Sequence, residues 1–148
     1  MRAVVQRVTG ASVKIDGETV GAIQKGLCVL LGVSVGDTEA DADYMTEKLL
    51  GLRIFDDDNG VPNRSVTDID GAILLISQFT LLGDARKGRR PSYIDAARPE
   101  LAIPLYEQCI AKLSAAVPVE TGRFGADMKV SIENDGPFTI LLDSRKGF

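Results

Sequence analysis

Histidine occurs nowhere in the 148 residues. Its absence excludes a Ser-His-Asp triad, a Cys-His pair and any imidazole general base. Whatever chemistry the chain performs must rest on other side chains, on backbone dipoles or on the substrate. Cysteine is scarce. Cys28 and Cys109 each lie inside an apolar stretch, which reads as two reduced, buried small hydrophobes. Two cysteines without a histidine do not furnish the usual four-ligand zinc site, and no metal or cofactor is expected. Long apolar runs are missing too. None approaches the roughly 20 residues of a membrane-spanning helix. The opening MRAVVQRV is interrupted by Gln6 and Arg7 too early for a signal peptide, so the cytoplasm is the expected location. Net positive charge is also lacking. At −4 the molecule is no polycation, and any anion it binds must meet a local patch.

What is present is ordinary globular composition, 45% hydrophobic and 26% charged, enough to bury a real core. With no repeat, linker or low-complexity segment, residues 1–148 read as one domain. MRAVVQRVT alternates β-branched and polar residues and predicts a strand. Asp16-Gly17 between SVKI and ETVGAI predicts a two-residue hairpin turn. GLCVLLGVSV (26–35) and AILLISQFTLL (72–82) are almost wholly apolar and predict strands buried on both faces. In the second of these, alternation would put Ser77 and Phe79 on one face and Gln78 and Thr80 on the other.

Two helices are expected. Thr38 and Asp41 have capping-box spacing, and Ala42, Met45, Leu49 and Leu52 then share one face. A second helix covers about residues 99–115, with Ala102, Leu105, Tyr106, Cys109 and Leu113 on one side. Pro99 suits its first turn, whereas Pro104 should kink or restart it. DDDNG (56–60) reads as a solvated turn, because its carboxylates lack calcium-loop spacing. MKVSIEN and FTILLD predict two strands joined at Asp135-Gly136-Pro137. The sum is an α+β domain, mainly antiparallel, with a compact sheet or barrel-like core and two principal helices.

Three clusters carry possible chemistry. Ser77-Gln78-Phe79-Thr80 places an amide and two hydroxyls at the end of an apolar strand, either as a strand simply emerging from the core or as the lining of a pocket. Gly136-Pro137 reads on pattern alone as a hairpin loop, although a proline peptide adopts cis at a cost of only about 0.5–1 kcal/mol. Arg86, Lys87, Arg89 and Arg90, followed by a proline and Tyr93, suit either a solvated face or contact with phosphates and bases.

SQFTL (77–81) and NDGPFT (134–139), supported in order by MRAVVQRV, LRIFDD, GDARKGRRPSY and TGRFGADM, resemble the D-aminoacyl-tRNA deacylases, the D-tyrosyl-tRNA deacylase family. The resemblance spans essentially the whole chain. It implies a homodimer that hydrolyses the ester joining a D-amino acid, or mischarged glycine, to the terminal ribose of tRNA. It also implies that Ser77, Gln78, Phe79 and Thr80 line the pocket beside the ester. Gly136 and Pro137 would form a Gly-cisPro element entering the other subunit's site and rejecting L side chains. Arg7 would brace that element, with Met128 and Ala97 nearby, and the basic loop would meet tRNA phosphates. Phe138 stands where many relatives have valine, a departure expected to change little because the side chain belongs to the following strand. Two other readings of the residues stand beside this one: an RNA-binding module without catalysis, and a hydrolase of some other small ester.

Overall fold

The computed structural model describes residues 1–148. Strand β1 (Arg2–Ile15) is followed by β2 (Glu18–Ile23), β3 (Gly26–Gly32) and helix α1 (Glu39–Gly51). Strands β4 (Phe55–Asp56), β5 (Pro62–Arg64) and β6 (Ala72–Ser77) lead to a 3-10 turn at Phe79–Leu82. Helix α2 (Pro99–Ser114), β7 (Val119–Thr121) and β8 (Lys129–Asp143) complete the chain. No helix is long and apolar enough to cross a membrane.

β1 organises the sheet because it is long enough to serve three partners. One edge pairs antiparallel with β3 through Arg2–Val8 and with β2 through Ala11–Ile15; the other edge pairs antiparallel with β8. The predicted class holds, and the tertiary pairing adds two parallel neighbours, β3 with β6 and β6 with β7. The six-stranded sheet curls until β2 nears β7. A Cβ on Gly21 would lie 2.7 Å from the Thr121 carbonyl oxygen, so the sheet is almost closed into a barrel.

The two faces explain the apolar runs. Leu27, Val29, Leu31, Ile73 and Leu75 enter the core beneath the helices, while Cys28, Leu74 and Ile76 enter a second cluster with Val8, Val13 and Ile23. Strands buried on both sides read as continuous hydrophobic sequence, as expected for a parallel pair. Each fully buried Leu or Ile contributes roughly 1.5–3 kcal/mol. Both cysteines are free and buried, and burial pushes the Cys28 thiol up to about 11 and the Cys109 thiol to about 12.

Local signals behave as predicted. Asp16 and Gly17 take φ of 50° and 80°, the left-handed pair of a type I′ hairpin turn. Thr38 and Asp41 form the capping box at α1. The Met1 ammonium is buried against Asp37 at 2.8 Å and also donates to Ser144 Oγ, whose hydroxyl donates to Asp41. One polar network thus joins both chain ends to the α1 cap. Asp56, Asp57 and Asp58 do not converge. Asp57 accepts the N–H groups of Asn59 and Val61, while Asp56 and Asp58 pair with Arg7 and Arg64.

Three expectations are corrected. α2 continues through Pro104 without restarting. The proline lies on the exposed side near the first turns, where water can satisfy the carbonyl deprived of its partner. The strand expected to reach Leu82 ends at Ser77. Gln78 N–H still donates to Leu31 O, but Leu81 N–H then turns back to Gln78 O, so strand alternation does not describe Phe79 and Thr80. The two C-terminal strands expected to flank a hairpin are one strand, β8, and both halves pair with β1. Val8 faces Asn134 and Gln6 faces Thr139, two steps along β1 against five along β8. The surplus residues around Gly136-Pro137 loop out without reversing the chain, as a large bulge does.

Candidate active site

The end of β6 opens into a cavity of about 280 Å³ lined by Ile76, Ser77, Gln78, Phe79, the segment Phe124–Met128 and Val130. Its position follows from the fold. Ile76 belongs to the second core cluster, against which Met128 and Val130 pack, so the cavity lies over the end of that cluster. Phe124 links it to α2, with its ring 6.2 Å from that of Tyr106, whose hydroxyl donates to Leu75 O on β6. Burial raises the Tyr106 pKa, so this hydroxyl is a structural donor rather than an acid near neutrality.

The 3-10 turn sets the polar groups. Gln78 Nε2 donates to Thr80 Oγ1. Thr80 and Phe79 are exposed, and the Phe79 ring meets Tyr93 edge-on at 5.2 Å. The N–H groups of Phe79 and Thr80 head the turn, where a helix has no internal acceptor for its first amides. Of the predicted pocket residues, the cavity lining brings together Ser77, Gln78, Phe79 and Met128. Thr80 adjoins it through Gln78. Ala97 packs against the main core instead and donates its N–H to Val33 O. Reading single motifs missed Phe124, Gly125, Ala126 and Asp127. The signal was present in TGRFGADM, within which only Met128 is a predicted site residue.

Gly136 and Pro137 are exposed at the bulge of β8, and the peptide between them is cis. Ser77 stands opposite Leu31, Leu31 opposite Ala3, and Ala3 opposite Leu142. The bulge therefore lies on the third strand across the sheet from Ser77, further along β8. Neither Gly136 nor Pro137 lines the cavity of its own chain.

Arg7 lies beneath the bulge. Its Nε donates to Asp135 O at 2.9 Å and its Nη1 to Ile54 O at 2.8 Å. The carboxylates of Asp56 and Asp135 each stand 3.6 Å away. Phe138 does more than extend its strand: its ring centroid is 4.7 Å from the Arg7 Cζ.

The basic loop is closed at its base by paired backbone hydrogen bonds between Asp84 and Ser92, both 2.8 Å. Arg86 turns back onto Asp84, with Nη2 and Nε donating at 2.7 and 2.9 Å. These bonds hold the Asp84 carboxyl down at about 2. Lys87, Arg89 and Arg90 remain exposed around Gly88 at the tip. The free cationic charge is thus concentrated on three of the four predicted residues.

A family model described as D-Tyr-tRNA(Tyr) deacylase matches residues 4–143. A D-aminoacyl-tRNA deacylase from Thermosipho melanesiensis is 59% identical over 150 residues, covering 100% of both chains. One from Kosmotoga olearia is 59% identical over 148 residues, again covering 100% of both. Among solved structures, the c-Myc DNA Unwinding Element Binding Protein superposes with a TM-score of 0.92 at 44% identity, over 97% of this chain and 98% of that one. A probable eukaryotic D-amino acid tRNA deacylase gives a TM-score of 0.83 at 18% identity, over 95% and 97%, a likeness of fold.

Proposed function

Because the chain belongs to the D-Tyr-tRNA(Tyr) deacylase family, we propose that it hydrolyses the ester of D-aminoacyl-tRNA, releasing the amino acid and the tRNA. The observation that carries this reading is the cavity at the end of β6, where Ser77, Gln78 and Phe79 converge in a chain without histidine. An aminoacyl ester is activated relative to an amide, so positioning and electrostatics suffice where a strong base is missing. The amides of Phe79 and Thr80, with the Ser77 and Gln78 side chains, steady the carbonyl oxygen as charge develops. The neighbouring ribose 2′-hydroxyl helps to activate water. Thr80 positions rather than attacks, since its oxygen already accepts the Gln78 amide and no side chain is available to deprotonate it. The reaction invokes neither metal nor cofactor.

Chirality is read by the main chain. Gly136-Pro137 of one subunit enters the cavity of the other in a homodimer, and its carbonyls hold the amino group in the space an L side chain would need. The separation of bulge and cavity within one chain supports this reading, as does the exposure of both residues. A backbone wall is not repacked by exchanging a side chain, so it rejects L substrates robustly. Glycine has no side chain to reject and is hydrolysed as well. Arg86, Lys87, Arg89 and Arg90 serve phosphates of the acceptor end, in the cytoplasm. Met128 flanks the bound amino acid.

Matched D-tyrosyl-, L-tyrosyl- and glycyl-tRNA are the test, with a tRNA-free D-tyrosine ester alongside. Release of free amino acid is expected from the D and glycyl substrates and not from the L form. Comparable D and L rates would overturn the chiral reading. Binding without turnover would favour a module that only binds RNA, and equal rates on the tRNA-free ester would favour a general esterase.

A further inference from the structure

We propose that Phe138 is a positioning residue for the Gly136-Pro137 turn and that it acts through Arg7. The inference rests on the reading above, in which that turn meets the aminoacyl group. At Arg7, β1 crosses from one core cluster to the other: Val5 belongs to the cluster beneath the helices and Val8 to the second. Strand pairing jumps from Gln6–Thr139 to Val8–Asn134, so Arg7 has no partner residue on β8 and its side chain fills the gap that the bulge leaves.

The Arg7 side chain is only 11% exposed, and a cation so desolvated needs its N–H groups satisfied. Asp135 O and Ile54 O accept two of them. These bonds constrain the edge of a planar group, and a planar group can still tilt about its edge. Phe138 limits that freedom by presenting its ring face to the guanidinium carbon at 4.7 Å, the arrangement in which an aromatic ring attracts a cation. The ring is itself fixed. It packs against the main core, and the Phe138 N–H donates to Asn134 Oδ1 at 2.9 Å. Contact therefore runs from core to Phe138, to Arg7, to the Asp135 carbonyl and to Gly136, where an added Cβ would lie 3.3 Å from Arg7 Nη2. A valine at this position would preserve the strand but present no π face.

The experiment measures kcat, KM and the D-over-L rate ratio on tyrosyl-tRNA for Phe138→Leu and Phe138→Tyr in the full-length protein, each with and without Arg7→Gln. Phe138→Leu keeps the apolar volume and loses the ring. It is expected to lower kcat roughly 3- to 10-fold, the range of one cation–π contact, with KM unchanged and the D-over-L ratio narrowed. Phe138→Tyr restores both. In the Arg7→Gln background, Phe138→Leu is expected to add nothing, which is the signature of coupled residues. Should Arg7→Gln fail to fold, Arg7→Lys, which keeps the charge without the fork, takes its place. A Phe138→Leu protein that melts earlier but keeps its kcat and ratio reduces Phe138 to core filling and overturns the inference. If Arg7→Gln narrows the ratio and Phe138→Leu does not, only the Phe138 inference falls. If neither moves the ratio, the role of the turn falls with it.

Discussion

Thr80 accepts on its Oγ1 a hydrogen bond that Gln78 donates from Nε2, two residues earlier in the chain. A hydroxyl about to attack an ester needs a base on its proton; this one has an amide donor on its lone pair. Thr80→Val is therefore expected to retain turnover of D-tyrosyl-tRNA within roughly tenfold, against the several orders of magnitude lost when a true nucleophile is removed. Single-turnover kinetics check it. Abolished chemistry with tRNA binding intact would return the mechanism to a covalent intermediate.

The tip of the basic loop is expected to govern salt dependence. For a single-stranded end, every phosphate left without its cation should flatten log K against log salt by about 0.7. Replacing Lys87, Arg89 and Arg90 with glutamine should lower the slope by about 2. Arg86→Gln alone should change the slope less and loosen the loop more, because Arg86 is paired with Asp84. Filter binding across salt concentrations separates the two, and an unchanged slope in the triple variant removes the loop from the interface.

The Asp84–Arg86 clip fixes a pH window. Hydrogen bonds from the Arg86 side chain and then its backbone N–H depress the Asp84 carboxyl to about 2, against about 3.9 in an unfolded chain. A depressed carboxyl contributes fully above the unfolded value and loses its contribution as pH falls towards the folded one. The loop should therefore hold one conformation from pH 5 to 8 and open only below about 4. Carbon-detected NMR titration of Asp84 reads this directly. With no imidazole in the chain, the pH–rate profile should also lack an inflection near 6.5.

Gly122 bears on the cavity through Met128. A Cβ there would lie 2.3 Å from the Met128 Sδ. The sulfur ends a flexible side chain and can move, so Gly122→Ala should cost little stability. The movement takes Met128 off the cavity wall, and kcat/KM should fall roughly 3- to 10-fold, as displaced positioning groups do. At Gly26 the same change meets the Ala72 carbonyl oxygen at 1.8 Å, where only backbone can yield. Gly26→Ala should compromise folding itself. Melting curves beside kinetics distinguish the two, and equal destabilisation would refute the argument from flexibility.

Much of the fold was legible in short segments. The left-handed pair at Asp16-Gly17, the cap at Thr38 and Asp41, and the doubly buried runs at Gly26–Gly32 and Ala72–Ser77 depend on neighbours a few residues away. The end of β6 was less legible, because Phe79, Leu81 and Leu82 continue an apolar pattern while the chain turns. What ends the strand is a hydrogen bond from Leu81 N–H back to Gln78 O, and apolar pattern does not encode that choice. α2 formed over the predicted residues, with the predicted face buried, despite Pro104. Pro104 breaks a local rule, but the exposed first turns leave the orphaned carbonyl open to water.

The sequence by itself determined the absence of imidazole chemistry, the local turns and caps, and the residues that resemble the family's two motifs. Only the tertiary structure decided what those motifs do to each other within a chain. Gly136-Pro137 is a bulge in a continuous strand rather than a hairpin, because both halves of β8 find their partners on β1. Arg7 and Phe138, 131 positions apart in sequence, meet because that pairing skips a residue. Long-range register is a property of the assembled sheet: a hydrogen-bond ladder is satisfied only when both strands are in place, and no local pattern fixes where it slips.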